Sequence, residues 1–177
     1  MNQFISKYLS ISKLRKIPKG KLFLKQGQFS EEIALIKSGC FQLLYTYKGK
    51  EWTKGFSFEE DWLGSLRCIL TKETNLYSIK ALENSEVYAI NYFELEKHSS
   101  SFSVQLDVLL PFVSRLYLVK EEREFDFLSL SAEDRYKKFL NYYGENAKRL
   151  NQNHIASYLG ITNVALSRIH SRLFNLG

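Results

Sequence analysis

Between Asn151 and Gly177 the chain reads NQNHIASYLGITNVALSRIHSRLFNLG, and the spacing of its apolar and capping residues allows few local structures. Asn151 is placed to cap a helix whose apolar face is Ile155, Ala156 and Leu159. Gly160 supplies the left-handed conformation that closes that helix, Ile161 plugs the corner, and Thr162 caps a second helix. In the second helix Leu166, Ile169 and Leu173 recur three and four apart on one face, which leaves Asn163, Val164, Ser167, Arg168 and Ser171 on the other. The pattern predicts a helix-turn-helix with helix 163–173 as the groove-facing element. A plain helical hairpin burying the same stripe is the alternative. The small Ala156 where two helices must approach, the turn glycine and the capping threonine all sit at offsets that favour the first reading.

Charge is distributed in keeping with that motif. The chain carries +6 in all. From Ser129 onward seven Lys/Arg face three acidic residues, leaving +4 on the last 49 residues and only +2 on the preceding 128. A solvated basic face without a partner would give the same count. At 177 residues with 45% hydrophobic content there is material for one large domain or two small ones with real cores. No long apolar run or signal-peptide pattern is present, so the expectation is a cytoplasmic protein with no membrane contact. Cys40 and Cys68 lack CxxC spacing and read as two buried thiols in a reducing compartment.

Upstream, residues 17–90 alternate short apolar or aromatic runs with glycine turns at 20, 27, 39, 49, 55 and 64. That rhythm predicts a small antiparallel barrel or jelly roll. No histidine precedes His98, so the inward histidine cluster of a metal-binding barrel enzyme is missing, as is any Ser/His or Cys/His pair inside the barrel. From Tyr92 the pattern turns helical, and a long helix is expected over about 99–128. Leu106, Leu109, Val113 and Leu116, continued by Lys120, Arg123 and Phe127, form a three-and-four stripe that suits a dimer seam or, alternatively, packing on the chain's own barrel. Pro111 must kink or divide that helix. Ser131-Ala-Glu-Asp134 is a capping box that opens a further helix, Ala132 to about Tyr143, closed by Gly144. The domain division therefore falls near Ser129, with 1–128 as barrel plus long helix and 129–177 as the helix-turn-helix domain.

The order of barrel, long helix and helix-turn-helix resembles the cyclic-AMP-receptor/FNR family of bacterial transcription regulators. The runs that carry the likeness are KGKLFLKQG, EEIALIKSGCFQLL, DWLGS, LSAEDRYKKFL and IASYLGITNVALSRI. The resemblance implies an α+β chain in which a cyclic-nucleotide-binding-like barrel senses a small molecule, the long helix forms a homodimer and the second helix reads a palindromic operator. It also implies double-stranded DNA, RNA polymerase and an unidentified effector as partners, with no enzymatic activity. Thr162, Asn163, Val164, Ser167, Arg168 and Ser171 stand at the DNA-contacting positions, and Gly64, Ser65, Leu66, Arg67, Asn75, Leu76 and Tyr77 at the effector pocket.

Two departures qualify the likeness. In cyclic-nucleotide-binding members a glutamate takes the ribose hydroxyl and an arginine the cyclic phosphate; here Ser65 replaces the first and Asn75 falls near the second. A charge-assisted hydrogen bond of roughly 1.5–3 kcal/mol is then missing, so family-type cyclic-AMP binding is not expected and no cofactor is identified. Arg67 is the one nearby guanidinium that could substitute. Without an N-terminal cysteine cluster, the iron–sulfur branch is not expected either. Family members also continue into a β-hairpin wing beyond the second helix, whereas this sequence stops at Gly177, giving an expected domain that lacks the wing. The rival reading from another class is a ligand-binding regulatory module whose C-terminal domain has lost DNA binding.

Overall fold

The computed structural model describes residues 8–98 and 109–174. Eight strands form two antiparallel four-stranded sheets. One sheet has the order β1 (Lys13–Ile17), β8 (Ser85–Asn91), β3 (Glu32–Ser38), β6 (Trp62–Leu63); the other has β2 (Leu22–Leu24), β7 (Ser78–Ala81), β4 (Phe41–Tyr47), β5 (Lys50–Ser57). The sheets face one another, and alternation along each strand sends Ile17, Leu24, Ile36, Phe41, Ile79 and Val87 into a common core. Cys40 and Cys68 are separate buried thiols.

Helix α1 (Leu66–Thr71) links β6 to the loop before β7, and α2 (Tyr92–His98) follows β8. Helix α3 (Leu110–Ser129) is the long helix, with Pro111 in its first turn, where the missing N–H costs least. Among the described residues the helix begins at Leu110; Leu106 and the rest of 99–108 lie outside the described residues. Ser131 caps α4 (Ala132–Tyr143) by accepting the Asp134 N–H at 3.1 Å and donating to the Asp134 carboxylate at 2.6 Å. A 3-10 turn (Gly144–Arg149) leads into α5 (Gln152–Leu159) and α6 (Asn163–Phe174).

The α5–α6 corner forms as the local chemistry requires. Asn151 Oδ1 accepts the His154 N–H at 2.9 Å, and Thr162 Oγ1 accepts the Ala165 N–H at 3.2 Å. Gly160 has φ +69°, and a Cβ there would come within 2.8 Å of Phe127 Cε1 on α3. Glycine is thus required twice, once for backbone conformation and once for the approach of the long helix. Ile155, Ala156, Leu159, Leu166 and Ile169 join Tyr136 and Phe139 of α4 in a second core. That core also takes in Cys40, Phe56 and Phe58 from the sheets, so barrel and C-terminal helices share buried surface. Gly160→Ala should cost at least about 1 kcal/mol, the usual penalty for a side chain in the left-handed region; urea unfolding with an unchanged midpoint would show that neither constraint holds.

Candidate functional site: the sensor cassette, the junction and the exposed helix

At the cassette the chain satisfies its own polar groups. Ser65, fully buried, caps α1 through its hydroxyl, which accepts the Cys68 N–H at 3.4 Å. Tyr77 donates its hydroxyl hydrogen to the Gly64 carbonyl at 2.6 Å, and burial raises its phenol above the ordinary range. Asn75 is also buried; its Nδ2 donates to the Lys25 carbonyl at 2.8 Å and its Oδ1 accepts the Tyr77 N–H at 3.2 Å. The two residues standing in for glutamate and arginine therefore hold loops together. Arg67 points to solvent and pairs with Glu73, while Leu66 is half-buried and Leu76 exposed. Gly64, Ser65, Asn75 and Tyr77 lie around one another.

The junction between sheet and C-terminal helices depends on residues that spacing did not single out as a site. Strand β5 ends its sheet, leaving its outer backbone groups to find partners elsewhere. The Thr53 N–H donates to Ser157 Oγ on α5 at 2.9 Å. Arg123 of α3 donates to the Thr53 carbonyl at 3.1 Å, to the Tyr158 carbonyl at 2.9 Å and to the Lys54 carbonyl. Arg149 makes a two-pronged pair with Glu59 at 2.8 and 2.9 Å and a further bond to Glu83. The Arg149 guanidinium holds the Glu59 carboxyl far down, at about 2. Around Phe56 the rings of Phe139, Tyr143 and Tyr158 pack at centroid distances of 6.3, 5.7 and 5.8 Å.

Helix α3 differs in phase from the expected seam. Leu116 faces the sheet, beside Phe112 and Val119, because Arg123 and Phe127 are anchored on the same side by β5 and Gly160. The outward strip is Leu110, Val113, Tyr117, Leu118, Phe125 and Leu128, with no residue of α3 buried. At 100° per residue that strip is about a quarter turn from the predicted stripe. Val113 belongs to both, and Leu109 is half-buried at the start of the helix.

On α6 the six residues Thr162, Asn163, Val164, Ser167, Arg168 and Ser171 are all exposed. Most of the neighbouring basic groups are engaged: Lys137 and Arg172 with Glu133, Lys138 with Asp126, Lys148 with Glu145, Arg135 with the Leu130 carbonyl. Arg168 alone of the seven has no partner among the described residues.

Residues 14–99 match the family described as the cyclic nucleotide-binding domain. The anaerobic regulatory protein of Bacillus subtilis (strain 168) is 35% identical over 89 residues, 50% of this chain and 37% of that protein. Over residues 14–99 the chain thus carries a cyclic nucleotide-binding domain. FixK2 from Bradyrhizobium japonicum superposes with TM-score 0.81 at 17% identity, covering 93% of this chain and 85% of that one. The c-di-GMP-responsive global regulator CLP of Xanthomonas campestris gives 0.76 at 15% identity, covering 96% and 90%. At these identities the solved structures establish the fold of this chain alone, whose aligned part spans well under half the length of its curated relative.

The Arg149 cluster generates a pH-dependent expectation. Glu59 titrates at about 2 when folded against an ordinary 4.5, so its contribution is complete above pH 4.5 and is lost as pH falls toward 2. Arg149→Met should lower the melting temperature at neutral pH, with the gap from the parent protein closing as pH drops through that window. A gap independent of pH would mean that the cluster does not carry the effect.

Proposed function

We propose that this chain is a homodimeric, non-enzymatic DNA-binding transcription regulator with a small-molecule effector site in its barrel half. In this reading 1–128 is the sensor with its dimerisation helix, and 129–177 is a helix-turn-helix domain. The observation that carries it is the strip on α6, where Arg168 is exposed and has no partner among the described residues, amid small exposed side chains. Asn163 can hydrogen-bond a base edge, Val164 can touch a thymine methyl, and Arg168 can bind guanine bidentately or grip a phosphate. Asn163 donates to Asn153 of α5, so base contact requires that bond to open. A dimer would set two such helices roughly 34–36 Å apart for successive major grooves.

The test is selection of duplexes from a random pool by the full chain at low salt, followed by Arg168→Ala. If Arg168 reads guanine, the variant loses about 1–3 kcal/mol on the selected site and relaxes preference at one position. If it grips phosphate, affinity falls evenly over all sequences and the salt slope shrinks by about one. Failure to enrich any sequence, with a folded dimeric protein, would replace this reading by the module that has lost DNA binding.

The dimer surface follows from the phase of α3. Six large apolar side chains exposed along one helix face are a surface that a second copy would cover. Replacing Tyr117 and Leu128 together by glutamate should yield monomers by light scattering, whereas Leu116→Glu should disturb folding instead. A dimer surviving the double substitution would place the interface elsewhere.

A further inference from the structure

While the polar groups of the cassette bond within the chain, a cavity of about 210 Å³ lies between β5, α3 and the C-terminal helices. Phe56, Trp62, Leu116, Tyr142 and Tyr158 give it a largely aromatic wall. It is smaller than the roughly 300–1,000 Å³ typical of sites for drug-sized ligands, which favours one or two fused rings over a nucleotide.

Three charged side chains line it: Lys54, Asp61 and Arg115. Arg115 and Asp61 pair with each other. Lys54 is left without a carboxylate among the described residues; its ammonium lies 4.9 Å from the centroid of the Tyr77 ring. The charges nearest it, Lys120 and Arg123, repel it, and burial with that repulsion pushes its amine down to about 8. The backbone explains how a lysine comes to be there. Leu43 pairs with Gly55 and Leu44 with Thr53, so Lys54 is the extra residue of a β-bulge. Bulges re-aim side chains and are frequent beside ligand sites. A secluded cation with no counter-ion costs free energy in the empty protein, and an entering anion would remove that cost.

We propose that this cavity is the effector site and that its ligand is a small aromatic carboxylate, the acid group paired with Lys54 and the ring plane held among Phe56, Trp62 and the tyrosines. The proposal rests on the reading of the barrel half as a sensor and moves the anion-binding end from the Gly64–Tyr77 cassette to β5. Because Leu116 belongs to the proposed dimer helix, and Tyr142 and Tyr158 to the helices that carry α6, the ligand would touch every element whose relative position matters for DNA binding.

The experiment is calorimetric titration of the full chain with 1-naphthoate and, as its neutral counterpart, 1-naphthamide. Naphthoate should bind one per chain and at least about tenfold more tightly than the amide, as expected for a desolvated charge-assisted contact. Lys54→Met should abolish that preference while leaving the amide unaffected. No binding of naphthoate, equal affinity for acid and amide, or a preference that survives in Lys54→Met overturns the proposal. Melting curves supply an independent check: removing an uncompensated cation should leave Lys54→Met at least as stable as the parent, and a clear loss of stability would mark Lys54 as a structural residue and overturn the assignment. Duplex selection on the same protein separates the two readings. Enrichment without naphthoate binding sinks the ligand site alone, and Lys54-dependent binding without enrichment sinks the DNA reading alone.

Discussion

The open edge of β5 is the constraint on which the rest of the molecule depends. An edge strand presents backbone donors and acceptors that must be paired or wetted, and here they are claimed by α3 and α5. Arg123 takes three carbonyls, two from the strand and one from Tyr158, and Ser157 takes the Thr53 N–H. One arginine thereby fixes the long helix, the sheet edge and the first helix of the α5–α6 pair in a single arrangement. The phase of α3 follows: with Arg123 turned inward, Leu116 turns inward too, and Tyr117, Leu118, Phe125 and Leu128 are left outside.

What could be read from sequence is what neighbouring residues decide among themselves. The caps Asn151, Thr162 and Ser131 and the helix-ending Gly160 act within three or four positions, and each was placed correctly. The glycine-punctuated strands were legible for the same reason. Arg123 is not, since its partners lie 35 to 70 positions away, and in the sequence it is only one more position of the three-and-four stripe. Lys54 was hidden by the bulge: in EWTKGFSF a lysine between threonine and glycine looks like an ordinary outward residue, and only the strand pairing shows it to be supernumerary. Nor could composition show that six of the seven basic residues of the C-terminal segment are held by partners within the described chain.

Cassette and cavity are two halves of one substitution. Where a family member places an acid and a base for a cyclic nucleotide, this chain has Ser65 as a helix cap and Asn75 as a loop tie, both saturated with internal hydrogen bonds. Across the Tyr77 ring stands Lys54, with no counter-charge among the described residues. Tyr77 touches both, its hydroxyl bound to Gly64 and its ring facing the Lys54 ammonium.

Phe56 sits two residues beyond Lys54 on the same strand, with its ring embedded among Phe139, Tyr143, His154 and Tyr158. Phe58 and Cys40 lie in the same core. Cutting the chain after the long helix would bare both phenylalanines, each worth about 1.5–3 kcal/mol when fully buried, and would leave the Thr53 N–H on the β5 edge without Ser157. The barrel of this protein is therefore poor material for modular reuse: a biosensor built by grafting it onto another output domain would need to carry residues 132–169 along, or bring replacement aromatics of its own.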